Sequence, residues 1–167
     1  MKKMTEANLM NAFMGESQAN TKYNIFAEKA KNEGFPNVAR LFTAAAFSEQ
    51  IHAKNHNRIL FGVKSTSENL QAGIDGESFE IDEMYPAYQV VAAAQGEKQA
   101  EKSIDWALES EKVHVCLYQK AKQAVNNKKD AEFGSINVCT VCGYTVDGKA
   151  PDKCPICNSP KDKFKTF

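Results

Sequence analysis

Residues 49–52 read Glu-Gln-Ile-His, and residues 111–114 read Glu-Lys-Val-His. In each stretch the glutamate and the histidine are three residues apart, so a helix places both side chains on one face, one turn apart. The two stretches are offset by 62 residues, and the same offset relates Gly34 to Gly96. This internal repeat predicts two similar helical hairpins, which together favour a four-helix bundle.

The apolar periodicity around these stretches predicts the extent of four helices. They span residues 5–33, 36–62, 67–95 and 97–125. Thr5 is a candidate N-cap for the first helix, and Pro36 fits the first turn of the second. Pro86 predicts a kink or break in the third helix. A polar linker at 126–130 then separates a bundle domain, residues 1–130, from a small C-terminal domain, residues 134–167.

Ionisable residues interrupt the apolar stripes at positions that face the axis of the predicted bundle. They are Glu16, Glu49, His52, Glu77, Glu80, Glu111 and His114. A single glutamate on a helix usually faces solvent, and a single histidine is usually a hydrogen-bonded core residue. Five carboxylates in one core, however, cost far too much free energy without cations. Two divalent metal ions would reduce their charge to about minus one, and oxygen donors with one imidazole per metal favour iron or manganese.

Four of the five cysteines form two Cys-x-x-Cys pairs, Cys139 with Cys142 and Cys154 with Cys157. Each pair can present two thiolates to one tetrahedral metal ion. A segment of this length buries too little surface to fold without that metal. The spacing alone permits either a zinc ribbon or an iron site. Cys116 is interpreted as a small packing residue and not as a fifth ligand.

The charge balance argues against two classes of partner. Lysine plus arginine and aspartate plus glutamate each total 21, so the chain lacks the positive field of a nucleic-acid or anionic-membrane binder. No apolar stretch approaches the length needed to span a bilayer or to form a secretory signal. Together with the clustered cysteines, this predicts a cytoplasmic protein.

Cys139-Thr-Val-Cys142-Gly-Tyr paired with Cys154-Pro-Ile-Cys157 resembles rubredoxin, with Asn158 where rubredoxins usually have glycine. Asparagine tolerates the left-handed backbone that such a turn needs. Further strings that carry a wider resemblance are Ala-Phe-Met-Gly-Glu16-Ser-Gln-Ala, Glu49-Gln-Ile-His52-Ala-Lys-Asn-His and Gly-Glu77-Ser-Phe-Glu80. Over essentially the whole chain, the sequence resembles the rubrerythrin family.

The resemblance implies a ferritin-like four-helix bundle with a C-terminal rubredoxin-like domain and three non-haem iron ions per chain. It implies that the seven inward-facing residues bind two irons, with Glu49 and Glu111 bridging, and that the four cysteines bind the third. It further implies that one iron exchanges His52 for Glu80 on oxidation, and that Tyr23 and Tyr85 hydrogen-bond to the ligating glutamates.

For function, the resemblance implies a homodimeric peroxidase that reduces hydrogen peroxide to water. Its electrons would come through the four-cysteine iron from rubredoxin or an NAD(P)H-dependent reductase. A ferroxidase or iron-handling protein is the alternative that a ferritin-like bundle leaves open. A third interpretation, an electron carrier or zinc-stabilised module without catalysis, conflicts with the five inward carboxylates.

Overall fold

The computed structural model describes all 167 residues, which divide into two compact units, Met1–Val63 and Lys64–Phe167. The first unit is a hairpin of helix α1, Lys3–Asn32, and helix α2, Pro36–Leu60. Gly34 lies in the turn with a φ of 84°, a left-handed conformation that glycine adopts without a steric penalty. Helix α1 starts before Thr5, so the predicted N-cap is wrong: no proline or glycine precedes Thr5 to prevent a further half-turn, and Lys2 takes the capping position.

The α1–α2 hairpin is held together mainly by small side chains. Its buried residues are Ala27, Ala30, Ala39, Ala46 and Ala53. Asn20 adds a cross-link, because its side-chain amide donates to the Ala46 carbonyl over 2.7 Å. Leu41 and Ile59, two larger apolar residues of α2, remain 68% and 62% exposed. A two-helix unit therefore buries its alanine seam and leaves larger apolar side chains uncovered.

The second unit begins with a long, interrupted helical segment. Helix α3 spans Thr66–Phe79, a π-helical turn spans Glu80–Met84, and helix α4 spans Tyr85–Gln95. Ser65 and Glu68 form a capping box at the start of α3, which satisfies two backbone N–H groups. The third helix is interrupted near Pro86, as predicted, and the interruption takes the form of the π turn directly before this proline. Pro86 itself sits in the first turn of α4, where its missing N–H is tolerated.

The π turn accounts for a one-residue difference between the two halves of the internal repeat. Glu16 precedes Tyr23 by seven residues, whereas Glu77 precedes Tyr85 by eight. A π turn accommodates one extra residue within a helix. The turn at Glu80–Met84 lies between Glu77 and Tyr85, so it absorbs this insertion and keeps both residues in a continuous helical segment.

Helix α5, Lys98–Asn126, packs against both α3 and α4. The chain then forms strands β1, Ile136–Cys139, β2, Thr145–Asp147, and β3, Phe164–Thr166. These strands make an antiparallel sheet in the order β2-β1-β3, and β2 contacts α5. The predicted fold class, four long helical segments with a small four-cysteine domain, is confirmed. None of the helices is both long enough and apolar enough to cross a membrane.

Candidate metal centres

The α1–α2 hairpin brings together Glu16, Glu49 and His52, whose potential ligand atoms all lie within 4.8 Å of one another. His52 Nδ1 is 2.9 Å from Glu49 Oε2 and 3.6 Å from Glu16 Oε1. A hydrogen bond with Glu49, followed by burial, raises the pKa of Glu16. That same bond with Glu16 lowers the pKa of Glu49. We refer to these three residues as the Glu16 group.

The second unit brings together Glu77, Glu111 and His114 in the same way, and we refer to them as the Glu77 group. His114 Nδ1 is 2.7 Å from Glu111 Oε2 and 3.8 Å from Glu77 Oε1. Burial, a hydrogen bond with Glu111 and the charge of Glu111 raise the pKa of Glu77 to about 7. The two groups therefore repeat one arrangement, as the internal repeat of the sequence predicts.

The donor atoms of both groups fit a divalent cation. A bare imidazole nitrogen and a carboxylate oxygen repel each other at 2.7 to 2.9 Å, so a proton or a metal ion must lie between them. Every ion-pair contact that the four glutamates make is with a histidine, and no lysine or arginine neutralises them. Oxygen donors with one imidazole suit iron or manganese.

Three of the residues singled out in the sequence lie outside these two groups. Glu80 is on the π turn, where burial and the charge of Glu77 raise its pKa. Burial, followed by the charges of Glu80, Glu111 and Glu77, raises the pKa of Tyr85. Tyr85 therefore lies near these three carboxylates. Tyr23 packs instead against Phe26 and Phe42. Neither tyrosine hydrogen-bonds to a glutamate of its own unit.

The four cysteines converge on one point in the small domain. Cys139 Sγ lies 3.6 Å from Cys157 Sγ, and Cys142 Sγ lies 3.5 Å from Cys154 Sγ. A tetrahedron of sulfurs around one metal at about 2.3 Å has edges of about 3.8 Å, so the observed spacing fits a single ion. Cys116 is exposed on α5 and is therefore neither a ligand of this group nor the packing residue that was predicted.

The turns after the second cysteine of each pair are built alike. Gly143 and Asn158 have φ angles of 85° and 61°, so Asn158 takes the left-handed conformation expected at this position. Burial opposes ionisation of Cys157, but the hydroxyl and amide of Ser159, with the neighbouring cysteines, outweigh it and lower the pKa of that thiol to about 6. Burial raises the pKa of Cys154, so a bound cation is needed to hold all four sulfurs as thiolates.

Sequence reasoning missed several residues that connect the small domain to α5. Thr145 Oγ1 lies 2.9 Å from His114 Nε2, and Ser110 Oγ lies 3.4 Å from the Cys142 carbonyl oxygen. Lys120 pairs with Asp147 at 2.9 Å. These contacts join segments about 30 residues apart in sequence, so no local motif could have indicated them.

Tyr118 is another residue that the sequence analysis did not single out. Burial and the charges of Glu77 and Glu111 raise its pKa, and its ring centroid lies 6.3 Å from that of His114. Its spacing of four residues from His114, one helical turn, was a usable signal. The tyrosine therefore lies beside the Glu77 group.

Comparison with known proteins gives a consistent set of relatives. A family model described as rubrerythrin matches residues 7–122, and one described as the rubrerythrin rubredoxin-like domain matches residues 138–165. Rubrerythrin-2 of Clostridium acetobutylicum is 42% identical, over 98% of this chain and 97% of that protein. Nigerythrin of Nitratidesulfovibrio vulgaris is 33% identical, over 98% and 86%. A solved structure of fully reduced, all-ferrous nigerythrin matches with a TM-score of 0.58 at 32% identity, over 98% of this chain and 86% of that one.

These similarities extend over both the helices and the small domain, and they agree with the donor sets. The carboxylate and histidine groups match a di-iron site, and the four cysteines match a rubredoxin-like iron site. The chain therefore has the ligands for three iron ions.

Proposed function

Because the chain belongs to the rubrerythrin family, an oxidoreductase family, we propose that it is a non-haem di-iron peroxidase. It reduces hydrogen peroxide to water and serves in defence against oxidative stress. The four-cysteine site would supply electrons to the carboxylate site when both sites hold iron. The observation that carries this proposal is the hydrogen bond between Thr145 and His114, which connects the cysteine domain to the Glu77 group within one compact unit.

The proposed iron ligands are the seven inward-facing residues of the sequence analysis and the four cysteines. By resemblance to the rubrerythrin family, Glu49 and Glu111 would be the two glutamates shared between the irons. When bound, the two ferrous ions supply two electrons, which with two protons convert one hydrogen peroxide molecule into two water molecules.

The protein side chains have distinct tasks in this proposal. The carboxylates of Glu77 and Glu111 would hold a cation, whose charge would compensate for the burial that raises the pKa of Glu77. Glu80 lies on the π turn near Glu77 and is proposed to exchange with His52 as a ligand. π turns are common at functional sites because they interrupt the regular backbone hydrogen bonds. Tyr23 and Tyr85 are proposed to orient glutamates once iron is bound.

The remaining parts of the proposal concern organisation and partners. Residues 1–130 form the di-iron domain and residues 134–167 form the rubredoxin-like domain. Rubredoxin or an NAD(P)H-dependent reductase supplies electrons, hydrogen peroxide is the substrate, and the protein acts as a homodimer in the cytoplasm. Four cysteines that converge on one candidate metal site, with no disulfide among them, support a reducing compartment.

The test is anaerobic stopped-flow mixing of the fully reduced protein with hydrogen peroxide and, separately, with oxygen. The ferric-thiolate absorption reports the four-cysteine iron, and the ultraviolet absorption reports the carboxylate-bound irons. We expect faster oxidation by peroxide than by oxygen. Much faster oxidation by oxygen would contradict the peroxidase proposal and favour the ferroxidase alternative.

A further inference from the structure

The two histidines of the carboxylate groups differ in the hydrogen-bond partner of the imidazole Nε2. Both turn Nδ1 toward their glutamates. Behind the ring of His114, Nε2 meets Thr145 Oγ1 at 2.9 Å, whereas Nε2 of His52 has no hydrogen-bond partner. His52 is also the more exposed of the two, at 49% against 27% of the side chain. A hydrogen bond to Nε2 therefore holds the ring of His114, but not that of His52.

The environment of Thr145 determines the direction of its hydrogen bond to His114. The Thr145 hydroxyl donates to the Gly143 carbonyl oxygen over 3.2 Å. Because a hydroxyl has only one proton, its oxygen must accept at His114, so Nε2 carries the hydrogen. The neutral imidazole then has its free lone pair on Nδ1, the nitrogen that faces Glu77 and Glu111. This is the tautomer that can bind a metal ion between these residues.

Few other groups are available to satisfy Nε2 of His114. A cavity of about 370 Å³ adjoins the ring. Its lining is mostly apolar and consists of Leu70, Leu117, Tyr118, Ala121, Phe133 and Ile136 besides His114 and Thr145. Thr145 is itself only 6% exposed and is fixed by strand β2, where it pairs with Val138. The hydroxyl is thus held in place by the small domain and not by α5.

We propose that Thr145 is a positioning residue for His114. The proposal rests on the proposed function only in taking His114 as a metal ligand. The small domain supplies a hydroxyl that fixes both the tautomer and the ring orientation of a histidine on α5. Partners behind ligating histidines commonly change metal affinity about 10- to 100-fold.

The test uses the full chain loaded with zinc, which is diamagnetic and carries out no redox chemistry. Long-range ¹H–¹⁵N correlation spectra identify the protonated nitrogen of each histidine, and a chelator assay measures zinc release from the carboxylate groups. We compare Thr145→Val, which removes the hydroxyl, with Thr145→Ser, which keeps it. Thr140→Val is the matched control, because Thr140 Oγ1 donates only to the Lys163 carbonyl in the same domain and is exposed.

In the unsubstituted protein we expect a His114 Nε2–H that exchanges slowly with solvent, while the His52 Nε2–H exchanges rapidly. Thr145→Val should abolish this protection and speed zinc release from the Glu77 group about 10- to 100-fold. Thr145→Ser and Thr140→Val should behave as the unsubstituted protein.

Three results would overturn the proposal: unchanged protection in Thr145→Val, loss of protection in Thr145→Ser, or an equal effect in Thr140→Val. If Thr145→Val fails to fold, the unsubstituted protein still decides, because an unprotonated or rapidly exchanging His114 Nε2 contradicts the proposal. Failure of the peroxidase proposal would leave all these zinc measurements unchanged.

Discussion

Replacing Glu77 by glutamine is expected to stabilise the metal-free protein while it weakens metal binding. Burial and the charge of Glu111 raise the pKa of Glu77 to about 7 in the folded chain, from an ordinary value of 4.5. Between these two pH values the folded state binds more protons than the unfolded state. The free energy of unfolding therefore falls as the pH rises from about 4.5 to about 7, and it stays low above that pH.

The magnitude follows from the size of the pKa shift. A change from 4.5 to about 7 corresponds to about 3 kcal/mol. The Glu77 side chain is 19% exposed, and solvent screening reduces the expected effect to about 1–2 kcal/mol. Glutamine has no charge to bury, so Glu77→Gln should raise the free energy of unfolding by this amount at pH 8 and by almost nothing at pH 4.5. In a chain of this length the gain raises Tm by about 2–8 °C.

Thermal unfolding of the metal-free protein, followed by helical circular dichroism at both pH values, measures this effect. Iron content after reconstitution measures how well the site binds metal. Glu77→Gln should lose most of its carboxylate-bound iron. Glu109→Gln is the matched control on α5. Glu109 forms an ion pair with Lys112 at the surface, so its loss should change stability by less than about 1 kcal/mol.

Two outcomes would contradict the prediction for Glu77→Gln. If Glu77→Gln is no more stable than the unsubstituted metal-free protein at pH 8, then Glu77 is not held in a site that disfavours its charge. If the variant is stabilised equally at both pH values, the gain has a cause other than ionisation. Retention of full iron content would separately contradict the assignment of Glu77 as a ligand.

Three further changes probe other parts of the structure. Asn137→Ala should lower the free energy of unfolding by about 2–3 kcal/mol, because the buried side-chain amide donates to two carbonyl oxygens and accepts from Thr166. Denaturant unfolding followed by the ferric-thiolate absorption measures this loss, and a loss under about 1 kcal/mol would contradict the prediction. Glu80→Ala should slow peroxide turnover at least tenfold with unchanged helical dichroism, whereas Glu83→Ala, an exposed residue of the same π turn, should not; equal rates in the two variants would count against ligand exchange. Deleting Asp82 should convert the π turn to α-helix and rotate Glu77 by about 100° relative to α4. The variant should then lose carboxylate-bound iron but keep the ferric-thiolate absorption. Normal iron content in this variant would show that the π turn is not needed for iron binding.

Features that depend on local spacing could be predicted from the sequence. The Glu-x-x-His stretches indicate facing side chains in any helix, and the structure places Glu49 beside His52 and Glu111 beside His114. The left-handed turn at Asn158 followed from its position after the last cysteine. Geometry within one or two turns of chain is set mainly by backbone sterics, so a pattern is enough.

Features that depend on contacts between distant segments could not be predicted. The Thr145–His114 contact spans 31 positions, and a threonine in a short strand has no signal that indicates its partner. Apolar periodicity predicts helix α2, but it does not identify the surface that covers an apolar residue such as Leu41, and the α1–α2 hairpin leaves this residue exposed. The π turn is a different case, because the unequal spacing of Glu16–Tyr23 and Glu77–Tyr85 is visible in the sequence.

We propose that the four-cysteine iron supplies electrons to a peroxide-reducing carboxylate site. One measurement addresses it directly: anaerobic mixing of the fully reduced protein with increasing peroxide, with the ferric-thiolate absorption followed in time. We expect the carboxylate-bound irons to oxidise first, at a rate proportional to the peroxide concentration. The ferric-thiolate absorption should then grow in a later phase whose rate is independent of peroxide, since that electron moves within the protein. Growth of the ferric-thiolate absorption in direct proportion to peroxide, or before the carboxylate-bound irons oxidise, would contradict the claim.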